Sequence, residues 1–75
     1  MRGFDESSLA ARRAIAPLQV KRIREQSHVS QAVFARYLNS SESTVQKWEA
    51  GTKRPSGLAL KLLAVIEKHG LKVFD

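Results

Sequence analysis

The fold is decided by residues 30–55, SQAVFARYLNSSESTVQKWEAGTKRP. This stretch predicts two short helices joined by a tight polar turn and followed by a basic loop. In the second helix, Val45 and Trp48 lie three residues apart and therefore share one face. Small polar and charged side chains occupy the opposite face. We expect the first face to pack and the second to remain available to a partner.

The boundaries of the two helices are marked by capping residues. Ser30 is a suitable N-cap for a helix over residues 31–38. The inward face of that helix is predicted to contain Phe34, Ala35 and Leu38. Asn39 follows where the turn requires left-handed backbone, which asparagine tolerates better than most residues. Ser40 or Ser41 then caps the second helix, which is expected to run to about residue 50 and to stop at Gly51.

Two flanking helices complete the predicted bundle. The first begins at Pro17, which suits the first turn of a helix, and directs Val20 and Ile23 to the core. Its polar residues are expected to face water: Lys21, Arg22, Arg24 and Glu25. The last helix is capped by Ser56 and ends at Gly70. Its apolar stripe is predicted to consist of Leu58, Leu62, Val65 and Ile66, widened by Leu60 and Leu63.

The chain of 75 residues is long enough for one small domain. We therefore predict an all-α fold, a small bundle of four to five helices. Residues 17–70 form the domain and residues 71–75 a short apolar tail. Residues 1–16 form an N-terminal extension, either a short helix or a segment that binds a partner.

Charge and composition narrow the classes of function. Thirteen Lys and Arg against seven Asp and Glu give a net charge of +6, which favours a polyanionic partner, although a merely solubilising basic surface is the alternative. The chain has no cysteine, so disulfides and thiolate metal sites are excluded. His28 and His69 lie far apart without a ligand set, and we expect no metal, no cofactor and no enzymatic activity. Without a long apolar run or a signal peptide, a cytoplasmic location without membrane contact is the default.

The motif positions resemble the XRE group of helix-turn-helix proteins, which includes Cro and the lambda-type repressors. The resemblance covers roughly residues 18–67 and rests on Ser30, Gln31, Phe34, Ala35, Leu38, Ser41, Thr44, Val45, Trp48, Glu49, Gly51, Arg54 and Pro55. Residues 54–68, together with the N-terminal extension, are similar to HigA-type antitoxins. The chain departs from the group at Asn39 and Ser40, where glycine and an apolar residue are usual, so the turn is expected to be looser or anchored by hydrogen bonds. The fifth helix of the group is missing or reduced to the tail.

The resemblance implies a lambda-repressor-like helix-turn-helix whose second helix enters the major groove of DNA. It assigns base reading to Glu42, Ser43, Lys47 and Thr44, and a DNA phosphate to Gln31. The amide and hydroxyl of Ser41 could bind a second phosphate, and Lys53 and Arg54 would add backbone contacts. Alternatives remain for four of these residues: Glu42 could be a first-turn acid stabilised by the helix dipole, and Lys47, Lys53 and Arg54 could be solvated. Trp48 is expected to pack in the core, and Glu49 to make hydrogen bonds near the helix end.

These assignments predict a sequence-specific repressor that binds double-stranded operator DNA as a homodimer. The narrower prediction is an antitoxin that autoregulates its operon and neutralises a co-encoded ribonuclease toxin. The toxin contact would lie on the N-terminal segment, which includes Phe4, Leu9 and Ile15, or on the tail, although the first segment could equally cover the domain's own core. The alternative function is a protein-interaction or bridging module that uses the fold without reading bases.

Overall fold

A computed structural model describes residues 15–74. Four α-helices follow one another in this part of the chain: α1 (Pro17–Gln26), α2 (Gln31–Tyr37), α3 (Glu42–Ala50) and α4 (Gly57–His69). A single 3-10 helix, Leu71–Phe74, follows α4. The described residues form no strand, so the all-α prediction is confirmed. The prediction for the N-terminal extension, including Phe4 and Leu9, lies outside the described residues.

The core is built from two apolar side chains of each helix, together with Leu38 at the end of α2. Its buried members are Val20, Ile23, Phe34, Ala35, Leu38, Val45, Trp48, Leu63 and Ile66. Ile15 packs against this cluster from the segment before α1. The core residues predicted for α1, α2 and α3 are thus confirmed, including Trp48, which is 3% exposed.

The stripe predicted for α4 is partly wrong. Leu63 and Ile66 are buried, and Ala59 and Leu62 pack against them, but Leu58 is 65% exposed. Leu58 lies roughly a quarter of a turn from the centre of this buried face, because successive helical residues are rotated by about 100°. A spacing of three or four residues therefore identified the helix but misplaced the edge of its buried face.

The turn between α2 and α3 is anchored by hydrogen bonds. Asn39 has a φ of +54°, as predicted from its type. The backbone N–H of Ser40 donates to the carbonyl of Ala35 over 2.8 Å, and that of Asn39 donates to Arg36 over 3.2 Å. This pair of bonds is the Schellman arrangement that ends many helices. The Ser40 hydroxyl adds a bond to the Leu38 carbonyl at 3.2 Å, so the departures from the usual turn sequence are accommodated.

The structure refines or corrects three of the predicted helix boundaries. α2 ends at Tyr37, with Leu38 as its C-cap, one residue earlier than expected. The N-cap of α3 is Ser41 rather than Ser40. Ser56 occupies the N-cap position of α4, but its side chain makes no capping hydrogen bond, which corrects the prediction. Gly57, the first residue of α4, has a φ of +58°, so the chain enters this helix in a geometry different from that of a standard cap.

The 3-10 helix folds the end of the described chain onto α2. The rings of Tyr37 and Phe74 lie with their centroids 5.6 Å apart. Within the described residues, the segment after α4, predicted from sequence to be a tail, forms one turn of 3-10 helix. None of the helices described is long and apolar enough to cross a membrane.

Candidate nucleic-acid interface

α3 has a packed face and an exposed face, as its sequence predicted. Val45 and Trp48 are buried, whereas Glu42, Ser43 and Lys47 are exposed. Residues 43 and 47 are four apart and therefore neighbours on one face of the helix. The structure thus brings together two of the residues assigned to base reading, with Glu42 beside them in the first turn.

The N-terminus of α3 is held by a network of hydroxyl groups. The Oγ of Ser41 accepts from the backbone N–H of Thr44 over 3.1 Å, and the Oγ atoms of the two side chains lie 2.9 Å apart. Thr44 is half-buried, and its hydroxyl is engaged within this cap. Glu42 is the acidic residue of the first turn, where the helix dipole favours a carboxylate. Glu42 is thus exposed on α3 and also lies where the helix dipole favours a carboxylate.

The basic loop after α3 is fastened to the end of that helix. The carbonyl of Lys47 accepts from the N–H groups of Gly51, Thr52 and Lys53 at 2.9, 3.0 and 3.3 Å. Pro55 is buried and anchors the far end of the loop. Lys53 and Arg54 between these anchors are exposed. Two cationic side chains are consequently held near the C-terminal end of the exposed face of α3.

Gln31 is the first residue of α2 and contacts α3 directly. It is half-buried, and its Nε2 donates to Oε1 of Glu49 over 3.1 Å. Glu49 therefore makes hydrogen bonds near the end of α3, as predicted. The contact fixes the N-terminus of α2 beside the helix that carries Ser43 and Lys47.

Arg24 does not face water, and the prediction for this residue is wrong. Its side chain is 16% exposed and forms a two-point ion pair with Glu49, with Nε to Oε2 at 2.6 Å and Nη2 to Oε1 at 3.1 Å. Nη1 donates to the carbonyl of Val29 over 3.1 Å. The partners lie 25 residues apart, and nothing in the local run of charges distinguishes Arg24 from its solvated neighbours.

The ion pair between Arg24 and Glu49 also affects the net charge near α3. The hydrogen bonds that Arg24 donates to the Glu49 carboxylate raise the pKa of Arg24 above its ordinary value, against a smaller opposing effect of burial. Arg24 is thus cationic throughout the neutral range and neutralises Glu49. On α3 and the loop that follows it, residues 42–55, the exposed charged side chains are those of Lys47, Lys53, Arg54 and Glu42. This balance favours an anionic partner.

Within residues 15–74 no group of three or more His, Asp or Glu side chains is arranged to hold a metal ion. A groove between α1 and α4 is lined by Leu18, Gln19, Arg22 and Glu67 among others.

Comparisons with known proteins agree with this geometry. The family model described as Helix-turn-helix matches residues 20–66, which include all four helices in whole or in part. A relative from Vibrio cholerae serotype O1, Antitoxin HigA-2, is 42% identical over 55 residues. The matched region is 73% of this chain and 53% of the relative, so the chain spans about half the length of the curated relative it matches. The chain therefore belongs to the XRE-type helix-turn-helix family.

Proposed function

We propose that the chain is a sequence-specific transcriptional repressor that reads operator DNA through the exposed face of α3. The observation that carries this proposal is the division of α3 into two faces. Val45 and Trp48 fix the helix to the core, while Ser43 and Lys47 stand exposed and adjacent on the other side. In a helix-turn-helix, the second helix lies in the major groove with such side chains at the base edges.

Each residue on this face has a role that matches its chemistry. Lys47 donates to O6 or N7 of guanine, and Glu42 accepts from N4 of cytosine. Ser43 serves as donor or acceptor. Thr44, whose hydroxyl is engaged by Ser41, makes its base contact from the half-buried edge of the face.

The phosphate contacts surround this face. Gln31 and the N-terminus of α3 at Ser41 bind the DNA backbone on one side, and Lys53 and Arg54 bind it on the other. Such contacts fix the orientation of the helix in the groove but carry no sequence information. Base reading and phosphate binding therefore predict different effects when individual residues are replaced.

We further propose that the chain acts as a homodimer in the cytoplasm on a roughly palindromic operator, with half-sites about one helical turn, ~34 Å, apart. The similarity to Antitoxin HigA-2 supports the narrower role of an antitoxin that represses its own operon and neutralises a co-encoded ribonuclease toxin. The tail offers Val73 and Phe74, which are 45% and 40% exposed, as a contact surface for the toxin. The N-terminal segment is the other contact surface that we propose.

Selection of bound sequences from a pool of randomised duplexes, at physiological salt, tests the base-reading role. The unmodified chain is expected to recover a palindromic site. Lys47→Ala should relax the preference at one position of each half-site, at a cost of about 1–3 kcal/mol in discrimination. Arg54→Ala is the matched control, because loss of a phosphate contact should weaken all sequences alike. Equal losses of Lys47→Ala on selected and scrambled DNA would remove Lys47 from the base-reading set.

The toxin role is tested with the protein encoded by the reading frame beside this gene. We expect the two proteins to copurify and co-expression to restore growth that the neighbouring protein alone arrests. An absence of both effects would leave a repressor without a toxin. A chain that recovers no preferred sequence from the pool would instead be a protein-interaction module.

A further inference from the structure

Three helices of the bundle meet at a single carboxylate. Glu49 on α3 accepts hydrogen bonds from Arg24 on α1 and from Gln31 on α2. Its side chain is 7% exposed, although it lies on the helix assigned to the major groove. A carboxylate so close to a DNA-binding face would repel phosphates if its charge were not neutralised.

The orientation of the Gln31 side chain is determined by this carboxylate. An ionised carboxylate can only accept hydrogen bonds, so the amide of Gln31 must direct its NH₂ group to Oε1 of Glu49. One N–H of that group is then engaged, and the second remains for another acceptor. A glutamine without such a partner is free to rotate and loses about 1.5–2 kcal/mol of rotamer entropy when it is immobilised. The contact with Glu49 removes much of that cost before any ligand arrives.

Arg24 holds the carboxylate of Glu49 in a fixed orientation. The two-point pair at 2.6 and 3.1 Å fixes both oxygens of Glu49, and the bond to the Val29 carbonyl fixes the guanidinium in turn. Two parallel bonds constrain rotation as well as distance. The Oε1 atom that receives Gln31 is therefore held in one place.

We propose that Glu49, held by Arg24, is a positioning residue that orients the Gln31 amide for its contact with a DNA phosphate. This inference rests on the proposed DNA-binding function. It adds that Arg24 and Glu49 act on DNA affinity through Gln31 and not only on the stability of the fold. The charge of the carboxylate is neutralised by Arg24, so the arrangement orients a donor without repelling the phosphate.

Stability and affinity can be separated by replacing the ion pair with apolar side chains. Such replacements are often neutral or stabilising when both charges are removed together, whereas removal of one partner leaves a buried charge. The double variant Arg24→Met, Glu49→Leu is therefore expected to remain folded, as a urea titration would establish. Its DNA affinity should nevertheless fall.

The decisive experiment is a double-mutant cycle on DNA affinity. Gln31→Ala is measured in the unmodified chain and in the Arg24→Met, Glu49→Leu background, with a scrambled duplex at low salt as the probe, because a phosphate contact does not depend on sequence. We expect Gln31→Ala to weaken binding about three- to tenfold in the unmodified chain. In the apolar background it should have almost no effect. The same loss in both backgrounds would show that the pair only stabilises the fold and would overturn the proposal.

Glu49→Gln provides a second variant if the apolar pair impairs folding. It keeps the shape and one acceptor oxygen but not the charge, so the effect of Gln31→Ala should be smaller than in the unmodified chain. NMR of the free protein adds a readout without DNA: the side-chain amide resonances of Gln31 should move towards those of a free glutamine in the Arg24→Met, Glu49→Leu variant, which has no acceptor at position 49. Unchanged resonances would overturn the positioning role even if DNA binding is normal. Failure of the unmodified chain to bind any duplex would instead overturn the proposed function itself, and this role with it.

Discussion

Gly51 is constrained both by its backbone conformation and by a close neighbouring side chain. Its φ is +84°, and a Cβ atom at this position would lie 3.3 Å from Cγ of Pro17 at the start of α1. A non-glycine residue in left-handed backbone costs about 1–2 kcal/mol, and the ring of Pro17 has little freedom to move away. We predict that Gly51→Ala lowers the free energy of unfolding by at least this amount, measured by urea denaturation.

Gly57→Ala is the matched control for that substitution. Gly57 also has a positive φ, of +58°, but no atom lies within 4 Å of the position that its Cβ would take. Its loss of stability should therefore contain only the backbone cost of about 1–2 kcal/mol. If the two alanine variants lose the same free energy of unfolding, the close approach of Gly51 to Pro17 does not contribute to stability.

Asn39, in the turn between α2 and α3, also has left-handed backbone. Its φ of +54° is tolerated by asparagine and preferred by glycine. We expect Asn39→Ala to lower the free energy of unfolding by about 1 kcal/mol. Asn39→Gly should leave it unchanged or raise it. Thermal unfolding followed by circular dichroism distinguishes the two, and a destabilised glycine variant would show that the asparagine side chain itself supports the turn.

Among the elements, α3 and α4 differ in the way their N-termini are capped. Ser41 accepts a hydrogen bond from the backbone of Thr44, whereas Ser56 makes no capping bond with its side chain. Ser41→Ala should therefore cost about 1 kcal/mol of stability, and Ser56→Ala less than about 0.5 kcal/mol. Denaturation of both variants in parallel makes the comparison, and equal losses would contradict the difference between the two caps.

The elements themselves could be predicted because their signals are local. Ser30, Asn39 and Gly51 mark helix boundaries through their own backbone or side-chain chemistry, and the structure uses all three in those positions. The errors arose where a distant partner decides the outcome. Leu58 has the spacing of a core residue but lies beyond the face that the other helices cover, and Arg24 is half-buried only because Glu49 lies opposite it.

The candidate site could be predicted from sequence as a set of exposed residues on one helix, since Val45 and Trp48 fix which face of α3 is buried. The connection between Gln31 and Glu49 was not predictable in the same way. It joins residues 18 positions apart on two helices and depends on the angle at which α2 meets α3. Pairings that depend on helix packing require the three-dimensional structure.

For the molecule as a whole, the excess of positive charge predicts binding that is sensitive to salt. Each cation that neutralises a phosphate contributes about 0.9 to the slope of log affinity against log salt concentration. Lys53→Ala and Arg54→Ala should each reduce that slope by about 1. Lys61→Ala, on the exposed surface of α4, is a matched control that changes the net charge equally and should leave the slope nearly unchanged. A reduction of the same size in Lys61→Ala would show that net charge, and not a loop contact, governs binding.

The most direct test of sequence reading by α3 is fluorescence anisotropy with the duplex immediately upstream of this gene and with a scrambled duplex of the same composition. Both are titrated at several salt concentrations. We predict that at physiological salt the upstream duplex binds about a hundredfold or more tightly than the scrambled one, because base contacts persist when phosphate contacts are screened. Equal binding of the two duplexes, with both lost as salt rises, would contradict the claim that the exposed face of α3 reads this operator.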